Sequence, residues 1–185
     1  MPQYSCVVEI LRSDSLRWTL LEVVRDRRLP DCWIAAGFVR NAVWDAVHGR
    51  TANRLKGDVD VIWFDPFVTD AGYDRQIEIQ LRAVIPEIDG SVKNQARMHV
   101  RNGDAPYLSA TDAMRHWPET ATAVAARRTD DGTCEIASPF GLDDLFNLIV
   151  RPTEQFAHEK HAIFERRVRS KAWLETWPRL TTAYR

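Results

Sequence analysis

The chain has 185 residues, 45% hydrophobic and 28% charged, a balance that suits one folded domain and excludes a disordered chain. Lys and Arg number 25 against 26 Asp and Glu, so a net charge of −1 excludes a generally basic nucleic-acid coat, though not a local basic patch. No apolar run approaches the ~20 residues of a membrane span. Residues 1–14 lack the pattern of a signal peptide, and Cys6, Cys32 and Cys134 are isolated, which together predict a cytoplasmic protein without a zinc or redox motif.

In chain order, Ser13 and Asp14 offer an N-cap to a helix carrying Leu16, Leu20, Val23 and Val24, which Leu29-Pro30-Asp31 stops. Residues 32–36 are a short apolar run, read as a strand ending at Gly37. Val39, Val43, Trp44 and Val47 form a helical stripe closed by Gly49. A polar loop follows at 50–57, then a β-rich segment at 58–64. Ile77, Leu81, Val84 and Ile85 predict a helix up to Pro86, and residues 92–99 a strand. Ser109 with Asp112 marks a capping box before a short helix ending near Trp117-Pro118. Residues 120–128 and 133–138 flank Thr129-Asp130-Asp131-Gly132, a hairpin signal. Leu142, Leu145, Phe146 and Ile149 make a further stripe, and a final helix is expected over about 154–175. The pattern predicts an α+β fold: a mixed sheet flanked by helices, with residues 139–185 a helical C-terminal extension of a single 1–185 domain.

The chemistry concentrates at two places. Asp58-Val59-Asp60 opens the β-rich segment, and alternation along a strand puts both acids on one face. Two close carboxylates repel unless a cation neutralises them, and hard oxygen donors suit Mg²⁺, with Mn²⁺ as an alternative. The competing reading makes Asp58 a turn residue and Asp60 an exposed edge charge. Upstream, Gly37 lies between a strand and a helix start, where free N–H groups favour phosphate. Arg40 in the first turn offers a guanidinium fork, or else a surface salt bridge.

With these residues in view, Ala36-Gly37-Phe38-Val39-Arg40-Asn41 followed by Asp58-Val59-Asp60 resembles the head of the DNA polymerase β nucleotidyltransferase superfamily, and within it the Gly-Gly-x-Val-Arg-Asp opening of CCA-adding enzymes and bacterial poly(A) polymerases. More narrowly, nearly the whole chain resembles the bacterial nucleotidyltransferase-like family NTP_transf_6 (DUF925). That likeness rests also on Asn94-Gln95-Ala96-Arg97-Met98-His99, Trp117-Pro118-Glu119-Thr120, Pro139-Phe140-Gly141-Leu142-Asp143-Asp144-Leu145-Phe146 and Arg151-Pro152. The resemblance implies an NTP substrate, Asp58 and Asp60 as metal ligands and catalytic residues, and a nucleotide cradle of Gly37, Phe38, Arg40 and Asn41. The acceptor stays open among small molecule, protein and RNA.

Two departures stand out. The superfamily's paired small residues are read here as Gly37-Phe38, with a bulky side chain in the second place. The strand matching the one that carries the third carboxylate, residues 91–99, holds no acid, and Asn94 is the expected occupant of that catalytic position. An amide can ligate a metal but cannot act as a general base. Glu78 or Asp65 supplies the acid, or two acids suffice, or the site binds nucleotide without transfer. The last alternative makes the chain a degenerate nucleotide-binding or interaction protein.

Other features have two readings each. Gln95, Arg97 and His99 would share a strand face and line a pocket or bind the next strand. Glu119-Thr120 is a structural turn or a loop over the site. Asp143 and Asp144 suit a helix N-terminus. His158 and His161 are spaced for one helix face, with no third metal ligand apparent. Residues 151–185 carry eight Arg and Lys against four Glu, a solvated face or a contact with RNA or phosphate.

Overall fold

The computed structural model describes residues 2–51, 58–86 and 88–183; most of the expected polar loop, at 52–57, lies outside the described residues. A strand of three residues, β1 (Trp33–Ala35), sits at the centre of a five-stranded sheet. All three residues are buried, which is why the sequence shows a solid apolar run there instead of alternation. On one side β1 pairs antiparallel with β2 (Val59–Trp63), which pairs parallel with the edge strand β3 (Gly90–Asn94). On the other it pairs with β4 (Ala125–Arg128), joined to β5 (Cys134–Ala137) by the expected hairpin, with Gly132 at a φ of 83° in its turn.

Side chains alternate, so the sheet has two distinct faces. Ile34, Val59, Val61, Trp63, Val92 and Ala126 join the main core. It is built with α1 (Gln3–Ser13), α2 (Ser15–Arg25), α3 (Gly37–Val47) and α4 (Ala71–Val84). The opposite face carries Trp33, Ala35, Ile62 and Ala125 and packs a smaller cluster around Ala110 and Met114. These belong to α6 (Ala110–Met114), which follows α5 (Met98–Asn102). The small cluster reaches Ala35, the β1 neighbour of Asp60. Beyond it, Asp60 is half-buried and Asp58 exposed.

Local chemistry explains the boundaries. Asp14 caps α2 by accepting from Arg17 N at 3.0 Å. Ser109 Oγ accepts from Asp112 N at 2.9 Å, while the Asp112 carboxylate accepts from Leu108 N. α1 is absent from the sequence reading; its buried Val7 and Leu11 are four residues apart.

Two expected elements differ. The strand read over 92–99 ends at Asn94, after which the chain winds into a 3₁₀ turn (Gln95–Arg97) and α5. Asn94 Oδ1 accepts from Ala96 N and so caps that turn, a local bond that competes with the ladder. Gln95, Arg97 and His99 therefore share no strand face.

The single final helix expected over about 154–175 is three: α8 (Glu154–Ala157), α9 (His161–Lys171) and α10 (Trp173–Thr176). The buried residues Phe156, Phe164, Val168, Trp173 and Trp177 explain the breaks. Val168 and Trp173 are five apart, about 140° around a straight helix, and a kink must absorb the slip. Ala172 does so at a φ of 48°. The earlier break at His158 separates it from His161, so the two share no helix face. α7 (Asp143–Phe146) is one turn long, and its neighbour β6 (Ile149–Val150) pairs with β7 (Thr181–Thr182).

Candidate active site

The groove lies where the sheet face is left open. Ala36, between β1 and α3, has φ 54° and ψ −121°, a conformation that favours glycine. It turns the chain sharply from strand into helix. Phe38 is 1% exposed and packs in the main core, so its side chain contributes nothing to the groove. Gly37 lines the groove, and a Cβ there would sit 3.4 Å from Asn41 Nδ2 and 3.5 Å from an Arg40 terminal nitrogen.

Arg40 is not a free fork. It is 5% exposed, with its guanidinium carbon 4.9 Å from the Trp44 ring centre and 4.4 Å from that of Trp173. Its Nε and one terminal nitrogen donate to Asn41 Oδ1, and the other terminal nitrogen donates to Thr122 Oγ1 at 2.8 Å. Burial lowers its pKa to about 10, opposed by the charges of Glu119 and Asp60 and reinforced by Arg167. It remains a cation at neutral pH, locked at the groove wall.

Asp60 is flanked by Ala35 on β1 and Ser91 on β3. Neither Asp58 nor Asp60 has a hydrogen-bond donor among the described residues. Burial and the neighbouring Asp58 raise the Asp60 pKa; Arg40, Arg167 and Lys171 pull it back. Sequence reasoning offered the C-terminal basic residues a solvated face or a contact with RNA or phosphate, without singling out Arg167 and Lys171 or joining them to the carboxylates. Arg167 Nε donates to Glu119 Oε1 at 2.7 Å, and its guanidinium carbon is 5.5 Å from the Trp173 ring centre. Glu119 is fully buried and lies 48 positions away in sequence, so no local motif pairs it with Arg167. Lys171 is exposed and forms no hydrogen bond or close ion pair among the described residues.

Asn94 does not join the site. It pairs with Trp63, three positions beyond the Asp60–Ser91 pair, and alternation puts it on the main-core face with Val92. Its amide donates to Asp65 O and Val68 O and accepts from Asp65 N and Ala96 N. The role expected for it therefore lacks a geometric basis: the side chain is spent holding the 65–68 segment. Of the alternative acids, Glu78 accepts from Lys93 Nζ and Val92 N, and Asp65 caps Phe67 N. Among the described residues, no group of three or more His, Cys, Asp or Glu is placed to hold a metal.

Two cavities meet at Asp60. One, of about 320 Å³, runs along Gly37, Arg40, Asn41, Asp58 and Lys171 to Trp173 and Trp177. The other, of about 330 Å³, runs toward β3, α5 and Trp117-Pro118. Ala36, Asp60 and Arg167 line both. Two open carboxylates in a ring of cations can hold a metal-bound polyphosphate.

Residues 22–182 match the NTP_transf_6 family model, described as nucleotidyltransferase. No curated protein matches the chain. A solved structure described as revealing a CCA-adding enzyme head domain is similar at 33% identity and a TM-score of 0.86, covering 97% of this chain and 95% of that one. A second, described as tRNA-processing enzyme complex 3, shares the fold at 16% identity and a TM-score of 0.54, over 89% of this chain and 43% of that one. Among the described residues, no helix is long and apolar enough to cross a membrane.

Proposed function

The chain belongs to the NTP_transf_6 nucleotidyltransferase family, and we propose that it moves a nucleoside monophosphate from an NTP to a hydroxyl acceptor in a Mg²⁺-dependent reaction. The observation that carries this reading is the pair of open carboxylates, Asp58 and Asp60, facing the cations of Arg40, Arg167 and Lys171 across one groove. The donor set fits the metal: two oxygen ligands whose mutual repulsion a divalent cation relieves. Asp58 and Asp60 would hold it, with triphosphate oxygens completing the shell. When bound, it neutralises charge on the transferring phosphoryl group.

The chain's own residues do the positioning. The strand-to-helix turn at Ala36-Gly37 lets the triphosphate approach the free N–H groups at the start of α3. Lys171 and the free end of Arg167 meet its oxygens. Asn41 holds Arg40, whose fixed charge favours the anion without reorganisation. The acceptor oxygen bonds to the α-phosphorus, the α–β anhydride bond breaks, pyrophosphate leaves and the hydroxyl proton passes to solvent. Phosphoryl transfer of this kind depends mainly on position and charge, which two carboxylates can serve.

The test is calorimetric titration of ATP, CTP, GTP and UTP, with and without Mg²⁺, into wild type and an Asp58→Asn/Asp60→Asn variant. Binding that requires Mg²⁺ and disappears in the variant is expected. No binding of any NTP by folded wild type would overturn the reading. Ser91, and not an acid, stands beside Asp60 on β3, which favours a second reading, a nucleotide-binding protein without transfer. It requires Mg²⁺-dependent NTP binding with no pyrophosphate release against any acceptor.

A further inference from the structure

We propose that the cavity on the β3 side of Asp60 is an acceptor subsite for a small phosphorylated alcohol, with Arg101 taking the phosphate. The acceptor role rests on the nucleotidyl-transfer reading above; the phosphate subsite does not. Asp60 is the only acid lining this cavity among the described residues, against Lys93, Arg101 and Arg167. Lys93 is offset by Glu78 and Arg167 by Glu119. Arg101 is exposed and has no partner among the described residues, so it carries the uncompensated charge. A guanidinium presents paired donors that match phosphate oxygens.

The remaining lining suits a carbon skeleton with hydroxyls. Met98 and Trp117 give it an apolar wall. Gln95 is 5% exposed, and its Nε2 is fixed by Lys93 O at 3.2 Å. Its Oε1 has no partner among the described residues and can accept from a ligand hydroxyl. A cavity of about 330 Å³ lies at the small end of ligand pockets and holds one sugar-phosphate-sized molecule. An alcohol anchored by phosphate at Arg101 would extend along this wall toward Asp60, where the nucleotide lobe begins.

The probes are glycerol 3-phosphate and ribose 5-phosphate, with glycerol, ribose and glycerate as controls. Each is titrated without NTP into ¹⁵N-labelled protein. The readout is the Trp117 indole N–H signal, identified by its loss in Trp117→Phe. At least one phosphate is expected to shift that signal saturably, and the controls not at equal concentration. Arg101→Ala should weaken binding at least about 10-fold, and Arg101→Glu should abolish it. The Gly37 amide shift on adding Mg²⁺ and NTP should survive both substitutions. No shift with either phosphate, equal affinity in the Arg101 variants, or an equal response to glycerate would overturn the subsite. An oligoribonucleotide that displaces the phosphate and binds more tightly through Arg101 would replace the small acceptor with RNA. Phosphate binding without NTP binding would sink nucleotidyl transfer alone, and the converse would sink the subsite alone.

Discussion

The two faces of the sheet are built from different residues and do different things. One presents Ile34, Val61, Trp63 and Val92 to the main core and is sealed by helices. The other packs Ala35 and Ala125 into the smaller cluster and places Ser91 and Asp60 beside it at the groove. Helices seal the first face; the second opens at Ser91 and Asp60, which line a cavity. Asp60 and Asn94 sit on adjacent parallel strands and are both polar, yet the pleat sends them to opposite faces. One is left open to the groove, and the other is consumed by backbone bonds.

Substitutions on the two faces should separate turnover from stability. The largest effect belongs to the open face: Asp60→Asn should reduce pyrophosphate release about 10³-fold, about 4 kcal/mol, in a coupled assay. Next, Arg167→Ala should lower kcat/KM about 10²-fold in steady-state kinetics, because it removes a fixed cation from the groove. On the closed face, Asn94→Ala should destabilise by about 2 kcal/mol in urea unfolding, by orphaning buried backbone groups, with kcat unchanged in the folded fraction. A comparable loss of kcat there would return Asn94 to the chemistry.

A smaller effect runs the other way. The Asp60 pKa is raised in the folded state, so its protonated form is the one folding favours. The associated stability is fully present below the unfolded pKa and is lost as pH rises through the folded one. At neutral pH without divalent metal, Asp60→Asn should therefore stabilise the protein, read as a rise in Tm, and the gain should shrink on acidification. Smallest of all, Ala36→Gly should change Tm by about 2 °C or less, since relief at φ 54° is offset by a more flexible unfolded chain. A fall well beyond that would mean Ala36 packs more than it strains.

How much was legible follows from how local each signal is. The α+β class, the Gly37 turn and the Asp58-Val59-Asp60 strand start were readable because turn chemistry and alternation act within a few residues. Asn94 was misplaced because nothing in a polar run announces where a strand gives way to a side-chain cap. The breaks at His158 and Ala172 were present as phase slips among the aromatics, and that arithmetic finds them. Arg167 was legible only as one member of a basic cluster open to phosphate; its place beside Asp60 depends on Glu119, a buried charge that only the fold brings to it.

Arg40 stands between a ring from α3 and a ring from α10, elements far apart in the chain. The nucleotide wall is therefore not a module of the first hundred residues that later helices decorate. A shortened protein ending before Trp173 would keep the whole sheet and both acids, yet lose one half of the clamp on its buried cation. Minimisation of this protein has its floor at that ring, and grafting the head onto another body requires carrying the tail along.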